Sequence, residues 1–309
     1  LMSRVSTSRG YKGRGRFTLR PLSGGRPFEL GNVVELSESI EVDRTGRQNY
    51  QDAAGGELDV EETVTSFTFE ATVDDISPQN IALAFRGSSV QLPSASIADE
   101  SQSAWAGHRI AFRYLPDPDV AITVDIDAPG TWASSTAFAI GDVIADGTRA
   151  YLAVVAGNTG LSEPTWPANL STVTDGDVTW KDLGPIALVL DTDYERTPHG
   201  LRMLTGTADR FHEDLPIPLT VSYTRNSQYL IQALVDAGDQ FEIVWHGLNA
   251  IDGGNPITSR YFRVKFSPTS GFGRHGGDDF SSLALSGTVL ADETREGSGL
   301  SKYLETAMI

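Results

Sequence analysis

The sequence predicts a mainly β fold: a β-sandwich or barrel with one or two short flanking helices and a small inserted β module. Three observations predict it. The 31 Gly and 15 Pro punctuate many short runs rich in Val, Thr, Phe and Ile. Several of those runs alternate apolar and polar residues, the period of a sheet with one buried and one wet face. Only one stretch carries a complete set of helix start and stop signals.

Taken in order, Arg16-Phe17-Thr18-Leu19-Arg20 alternates and ends at Pro21, and Ser23-Gly24-Gly25-Arg26 forms a turn. Val33 to Val42 sets Val34, Leu36 and Ile40 against Glu35, Ser37 and Glu41. Arg44 to Glu57 is a stretch of 14 polar and small residues. Hairpin loops normally span about 2–5 residues, so a loop this long is either functional or disordered. Val60 to Val73 is the longest strand signal, with Val64, Phe67, Phe69, Ala71 and Val73. Ser77 then offers an N-cap, Pro78 fits the first helical position and Gly87 the position past the end. A second helix is expected from about Ser227 to Asp236, ending at Gly238. Further strands are expected at Arg109–Tyr114, Val120–Ile126, Ala187–Leu190, Leu201–Leu204, Leu219–Tyr223, Phe241–His246, Tyr261–Phe266 and Leu283–Leu290.

Residues 131–185 break the pattern. They contain Trp132, Trp166 and Trp180, three of the five Trp, but only two basic residues, Arg149 and Lys181. Gly130 and Gly184-Pro185 bracket them. The expected organisation is a discontinuous body, 1–130 with 186–309, carrying an inserted module at 131–185.

The net charge is −17, from 41 acidic and 24 basic residues. Residues 1–26 hold seven of the basic residues and none of the acids, so the rest of the chain carries 17 basic residues and a balance of −24. A basic arm (Arg4, Arg9, Lys12, Arg14, Arg16) on an acidic body can pair with a neighbouring copy; the other reading is a terminus with incidental charge. The acidity itself reads as solubility, or as a surface that rejects nucleic acid. There is no Cys, which excludes disulfides and thiolate metal sites. No apolar run approaches the ~20 residues of a membrane helix, and no signal peptide is expected.

The search for catalytic chemistry finds none. His108, His199, His212, His246 and His275 share no metal-ligand spacing, and no GxSxG elbow is present. Asp191-Thr192-Asp193 opens like a calcium loop but lacks the later Gly and Glu. Gly276-Gly277-Asp278-Asp279 reads as a solvated turn, and Asp125 with Asp127 as a solvated strand face. The expectation is a chain that is not an enzyme and takes no cofactor or metal.

The order of elements resembles a known family. GRGRFTLRPL (13–22), FELGNVVELSESIEV (28–42), the polar stretch, and ELDVEETVTSFTFEATVDDISPQNIALAFRG (57–87) resemble the opening half of siphophage and Mu-like major tail tube proteins. FEIVWHGLNAIDGGNPITSRYFRVKFSPTSGF (241–272) and DDFSSLALSGTVLAD (278–292) resemble the closing half. The resemblance implies a β subunit forming rings, usually of six, that stack into a hollow tube conducting DNA during ejection. It implies a virion location in the phage tail, after synthesis in the host cytoplasm. The implied partners are further copies, the tape measure, tail terminator and distal tail proteins, and double-stranded DNA that passes without tight binding. In the family a long loop between early strands reaches the adjacent ring; here that would be Arg44, Arg47, Tyr50, Gly55, Gly56 and Glu57. Glu35, Glu41, Asp59 and Glu61 are candidates for an acidic channel lining. The chain departs from the family in size: 254 residues lie outside the insert, large for one tube domain, and a trimer of duplicated bodies is the alternative symmetry.

Residues 131–185 are similar to small chitin-binding-type carbohydrate modules, through Trp132, Phe138 to Asp142, Tyr151 to Ala153, and Trp180. The resemblance makes Tyr151 and Trp166 candidate contacts to a host surface glycan; the other reading is that these rings are the core of a tiny domain. An alternative function follows, a carbohydrate-binding virion-surface or tail-tip protein acting through the insert.

Overall fold

The structure, a computed structural model, describes residues 10–51, 54–207, 210–211, 214–251, 253–269, 271–275 and 280–309. Arg4, Arg9, His212 and the 276–279 turn lie outside the described residues. The chain is mainly β. Strands β1 (Gly13–Pro21) and β2 (Phe28–Glu29) flank the expected turn, where Gly24 and Gly25 take positive φ. The long hairpin β3 (Val33–Gln48) and β4 (Glu57–Val73) leads into helix α1 (Pro78–Ala84). Then come β5 (Ser88–Leu92), β6 (Ala95–Ala104), β7 (Arg109–Ala111) and β8 (Thr123–Ile126). Short strands β9 (Ala137–Phe138), β10 (Val143–Asp146), β11 (Arg149–Val155), β12 (Gly157–Asn158), β13 (Thr172–Asp175) and β14 (Val178–Pro185) follow. The remainder is β15 (Tyr194–Thr197), β16 (Gly200–Met203), β17 (Ile217–Arg225), β18 (Gln228–Gln232), β19 (Gln240–Asn249), β20 (Asn255–Ser267), β21 (Leu283–Val289) and β22 (Leu304–Met308).

The chain forms two compact units, residues 1–90 with 229–309, and residues 91–228. The first unit is built on one antiparallel sheet of order β2-β1-β19-β20-β21-β4-β3, with β22 also pairing β20. Its inward positions are those the period-2 pattern marked: Phe17 and Leu19 on β1, Phe67, Phe69, Ala71 and Val73 on β4. Phe69 and Phe241 each meet Phe266 edge to face, at 5.4 and 5.6 Å between ring centroids, a geometry that adds to area burial. Ser77 caps α1 by accepting from the Asn80 N–H at 3.2 Å. Buried Asn80 in turn donates to the Leu30 and Asp75 carbonyls, both at 2.8 Å, pinning the helix to the β2–β3 connection.

The second unit holds sheets β6-β17-β8, β15-β16-β7 and β10-β11-β14-β13, with β12-β9 as a small pair. The β10-β11-β14-β13 sheet is buried on both faces. Val143, Ala150, Leu152 and Leu183 join a core with Val124, Ile126, Leu219 and Val221. Ile144, Tyr151, Ala153, Val178 and Trp180 pack on the other side with Trp132, Phe138 and Trp166. The 131–185 segment therefore shares a core with β6, β8 and β17, and the division by compactness falls at 90/91 and 228/229 rather than at 130/131 and 185/186. Strands β5 and β18, where the chain leaves and re-enters the first unit, pair with each other.

Several expectations are corrected. Ser227 to Asp236 is not a helix: Gln228–Gln232 is strand β18, and Leu234 takes φ +59, which a right-handed helix excludes. Its apolar residues mimicked helical spacing, yet Leu234 and Val235 are exposed. Ala187–Leu190 is no strand, since it makes only isolated bridges at Ala187 and Leu190. The stretch Arg44–Glu57 is not all loop: residues 44–48 are the end of β3 and Glu57 is the start of β4. Gly87 does not supply the left-handed residue after α1; Arg86 does, at φ +45. Gly87 is instead required by close approach, because a Cβ there would overlap the Gln232 carbonyl.

Candidate functional site

Directly paired residues of an antiparallel ladder share a face, so the register of the first unit's sheet sorts its side chains. Ile40 pairs Phe67, Glu41 pairs Ser66, and Val42 pairs Val64, because Thr65 is an extra residue in β4. That bulge keeps Val64 and Val60 on the same face as buried Phe67 and Phe69, although their spacing in sequence from Phe67 is odd. Beyond Phe67, among the described residues, only β3 pairs β4. The hairpin thus runs past the core as a two-stranded ribbon. Its core-side face carries Ile40, Val42, Val60 and Val64 at 59, 51, 38 and 53 % exposure. Arg44 bridges this face, donating to Glu57 at 2.5 Å and lying 3.9 Å from Glu62.

The opposite, outer face of the hairpin is acidic. Glu35 opposes Thr72, Ser37 opposes Glu70, Asp43 opposes Thr63, Thr45 opposes Glu61, and Arg47 opposes Asp59. The four acids singled out in the sequence, Glu35, Glu41, Asp59 and Glu61, are therefore brought to one face, joined by Asp43 and Glu70. All six are exposed. The six residues of the expected inter-ring loop divide: Arg44 and Arg47 are fixed in β3, and Glu57 opens β4. Gly55 and Gly56, at φ +66 and +114, lie in the connection, which the Asn49 N–H closes onto the Gly56 carbonyl at 2.7 Å. Tyr50 stands at the tip, 89 % exposed.

Across the same sheet the outer face changes sign. Arg14, Arg16 and Arg20 alternate along β1 with inward Gly15, Phe17 and Leu19, and oppose Leu248, His246 and Glu242 on β19. Arg260 and Lys265 lie on the outer side of β20, opposite Val244 and Gln240, and Arg263 donates to Gln240 at 2.7 Å. Glu242 lies within 3.3 Å of Arg20 and 3.5 Å of Arg260. The expected basic arm is thus partly strand: Lys12 precedes β1, and Arg14 and Arg16 are held in its ladder. The intervening glycines make this possible, because a Cβ on Gly13, Gly15 or Gly247 would crowd the Trp245 ring, which lies across them.

β2 pairs β1 only at Thr18 and Leu19, and among the described residues no strand pairs the Gly13–Arg16 edge or the outer edge of β3. The beginning of β3 and this part of β1 line one open cleft of about 790 Å³, with Phe17, Leu36, Trp245 and Tyr261 among its walls. Tyr261 donates its hydroxyl to Glu38 in the cleft. Burial, and then the Glu38 carboxylate, pushes the Tyr261 phenol far above its ordinary value, and the same two causes raise Tyr11.

The glycan candidates fare differently. Tyr151 is 1 % exposed, so its ring is core and not a platform for sugar. It packs 4.3 Å from the half-buried Trp166 ring and donates to the Pro167 carbonyl at 3.1 Å. Trp166 donates to Glu163 at 2.8 Å. Trp132 donates to Asp175 at 2.7 Å. Sequence reasoning passed over Arg260, Arg263, Lys265, Asp43, Glu70 and the Trp245–Tyr261 cleft.

Among the described residues no group of three His, Asp or Glu could hold a metal, and no helix is long and apolar enough to cross a membrane. Fold and surface together define a mainly β chain whose unsatisfied chemistry lies on strand edges and a projecting ribbon. The chain belongs to the family described as protein of unknown function UCP028589, whose profile matches residues 10–149 and 155–307. A comparison with curated proteins gives no match.

Proposed function

We propose that this chain is the major tail tube protein of a bacteriophage: a structural subunit, not an enzyme, that stacks as rings into a hollow tube conducting DNA during ejection. The observation that carries this reading is the two-stranded ribbon in which residues 41–48 pair 57–66 beyond Phe67, with one uncovered apolar face and one acidic face. An isolated two-stranded ribbon is marginal in water, and open edges invite pairing with another chain. A neighbouring copy would satisfy both. The net charge of −17 suits a tube that conducts DNA, since repulsion of phosphates lets DNA slide where a basic lining would grip it. In the tail the other partners would be the tape measure, terminator and distal tail proteins.

The test is negative-stain microscopy of the purified chain at increasing concentration. Rings or tubes about 100 Å wide, the scale of six ~250-residue bodies, are expected. A chain that stays monomeric at every concentration, and is missing from purified virions, overturns the reading. The carbohydrate-binding alternative loses Tyr151 as a platform.

A further inference from the structure

We propose that neighbouring copies dock head to tail, the basic outer face of β1, β19 and β20 in one copy against the acidic outer face of the β3–β4 hairpin in the next. This rests on the ring reading and names the two surfaces that would meet. One flank of the sheet carries Arg14, Arg16, Arg20, Arg260, Arg263 and Lys265 against Glu29, Glu242 and Glu305, with Glu29 3.7 Å from Arg16 and Glu305 opposite Arg260. The other carries Glu35, Glu41, Asp43, Asp59, Glu61 and Glu70 against Arg47. Between them β21 shows only Ala284, Ser286 and Thr288 on that face.

Three physical points favour a second copy as the occupant. Among the described residues no ion pair joins the two flanks, while Arg20 and Arg260 must share Glu242; each flank is left with excess charge of one sign. A two-fold contact would engage both flanks at once and stop at a dimer, whereas a head-to-tail contact matches unlike flanks and leaves one of each free at either end, so that it closes into rings or extends into stacks. The Gly13–Arg16 edge and the β3 edge adjoin these flanks, and no strand among the described residues pairs them. Exposed ion pairs are individually weak, so the charges select partner and orientation, while backbone pairing along the adjoining strand edges supplies the rest of the contact.

The experiment is a charge swap at exposed positions, in the full chain, followed by sedimentation and negative stain. Arg14→Glu with Arg16→Glu reverses the charge beside the Gly13–Arg16 edge; Asp43→Lys with Glu61→Lys reverses it at the middle of the hairpin's outer face. Circular dichroism and melting temperature verify that each variant folds. Neither variant alone assembles at roughly tenfold the wild-type threshold, by like-charge repulsion. An equimolar mixture assembles, as does one chain carrying all four substitutions. If either variant assembles alone at the wild-type threshold, or if mixing fails to restore assembly, the assignment of these two flanks is wrong and the ring reading stands. If the wild type forms neither rings nor tubes, the ring reading fails and this contact with it.

Discussion

Two buried polar arrangements at the residue scale have measurable consequences. Asp182 is fully buried and accepts from Arg149 through two bonds, the shorter 2.5 Å, and from the Leu170 and Gly184 N–H groups at 2.9 and 2.8 Å. Asp182→Ala would strand the Arg149 guanidinium and two backbone donors. Breaking a buried pair from one side costs about 3–5 kcal/mol, and urea unfolding of the variant is expected to show a loss of that order. Tyr261 and Tyr223 concern the alkaline side. Burial, then a hydrogen-bonded carboxylate (Glu38 and Glu100), raises both phenols above the ordinary 10.0. A folded-state value above the unfolded one means that the stabilisation is complete below pH 10.0 and drains as pH climbs from there. Unfolding free energy should therefore fall above pH 10, and less steeply in a Tyr223→Phe/Tyr261→Phe double variant. Equal slopes in the two proteins would contradict this.

The ribbon is the element with the clearest division between stability and assembly. Ile40 and Val64 lie past the core on a face that nothing covers. Ile40→Ser with Val64→Ser should therefore change unfolding free energy by only about 0.5 kcal/mol or less. The same variant should lose the capacity to form rings, as measured by sedimentation; full assembly would show that this face is idle. The element scale also shows why part of the fold was legible. Local alternation announced β1, β4 and β20, and the Ser77-Pro78 cap announced α1, because these signals depend on neighbours in sequence. The ribbon was hidden: Arg44 to Gln48 lacks an apolar period, and its strand state comes from cross-strand bonds to residues 57–62. The Thr65 bulge hid the face of Val64, which strict alternation places opposite Phe67. β18 was misassigned because Tyr229-Leu230-Ile231 suits either state and only pairing with β5 decides it. Similarly, β6 (ASIADESQSA) is too polar to announce itself, and its ladder to β17 fixes it.

For the whole molecule, a net charge of −17 dominates long-range behaviour. Duplex DNA should not be retarded by the assembled protein in a gel at about 0.15 M salt, since non-specific binding requires net phosphate neutralisation. A salt-sensitive shift would mean that the exposed arginines, not the acids, face the cargo. Acidity was legible from composition alone, but its segregation was not: Arg14 and Arg260 are remote in sequence and neighbours only through β19. The pairing of β5 with β18 has a practical corollary. Entry to and exit from residues 91–228 lie side by side on adjacent strands, so that stretch is a cassette. It can be excised and replaced by a tight turn, or exchanged for a foreign domain with close termini, while the eight strands of the first unit keep every one of their own ladders.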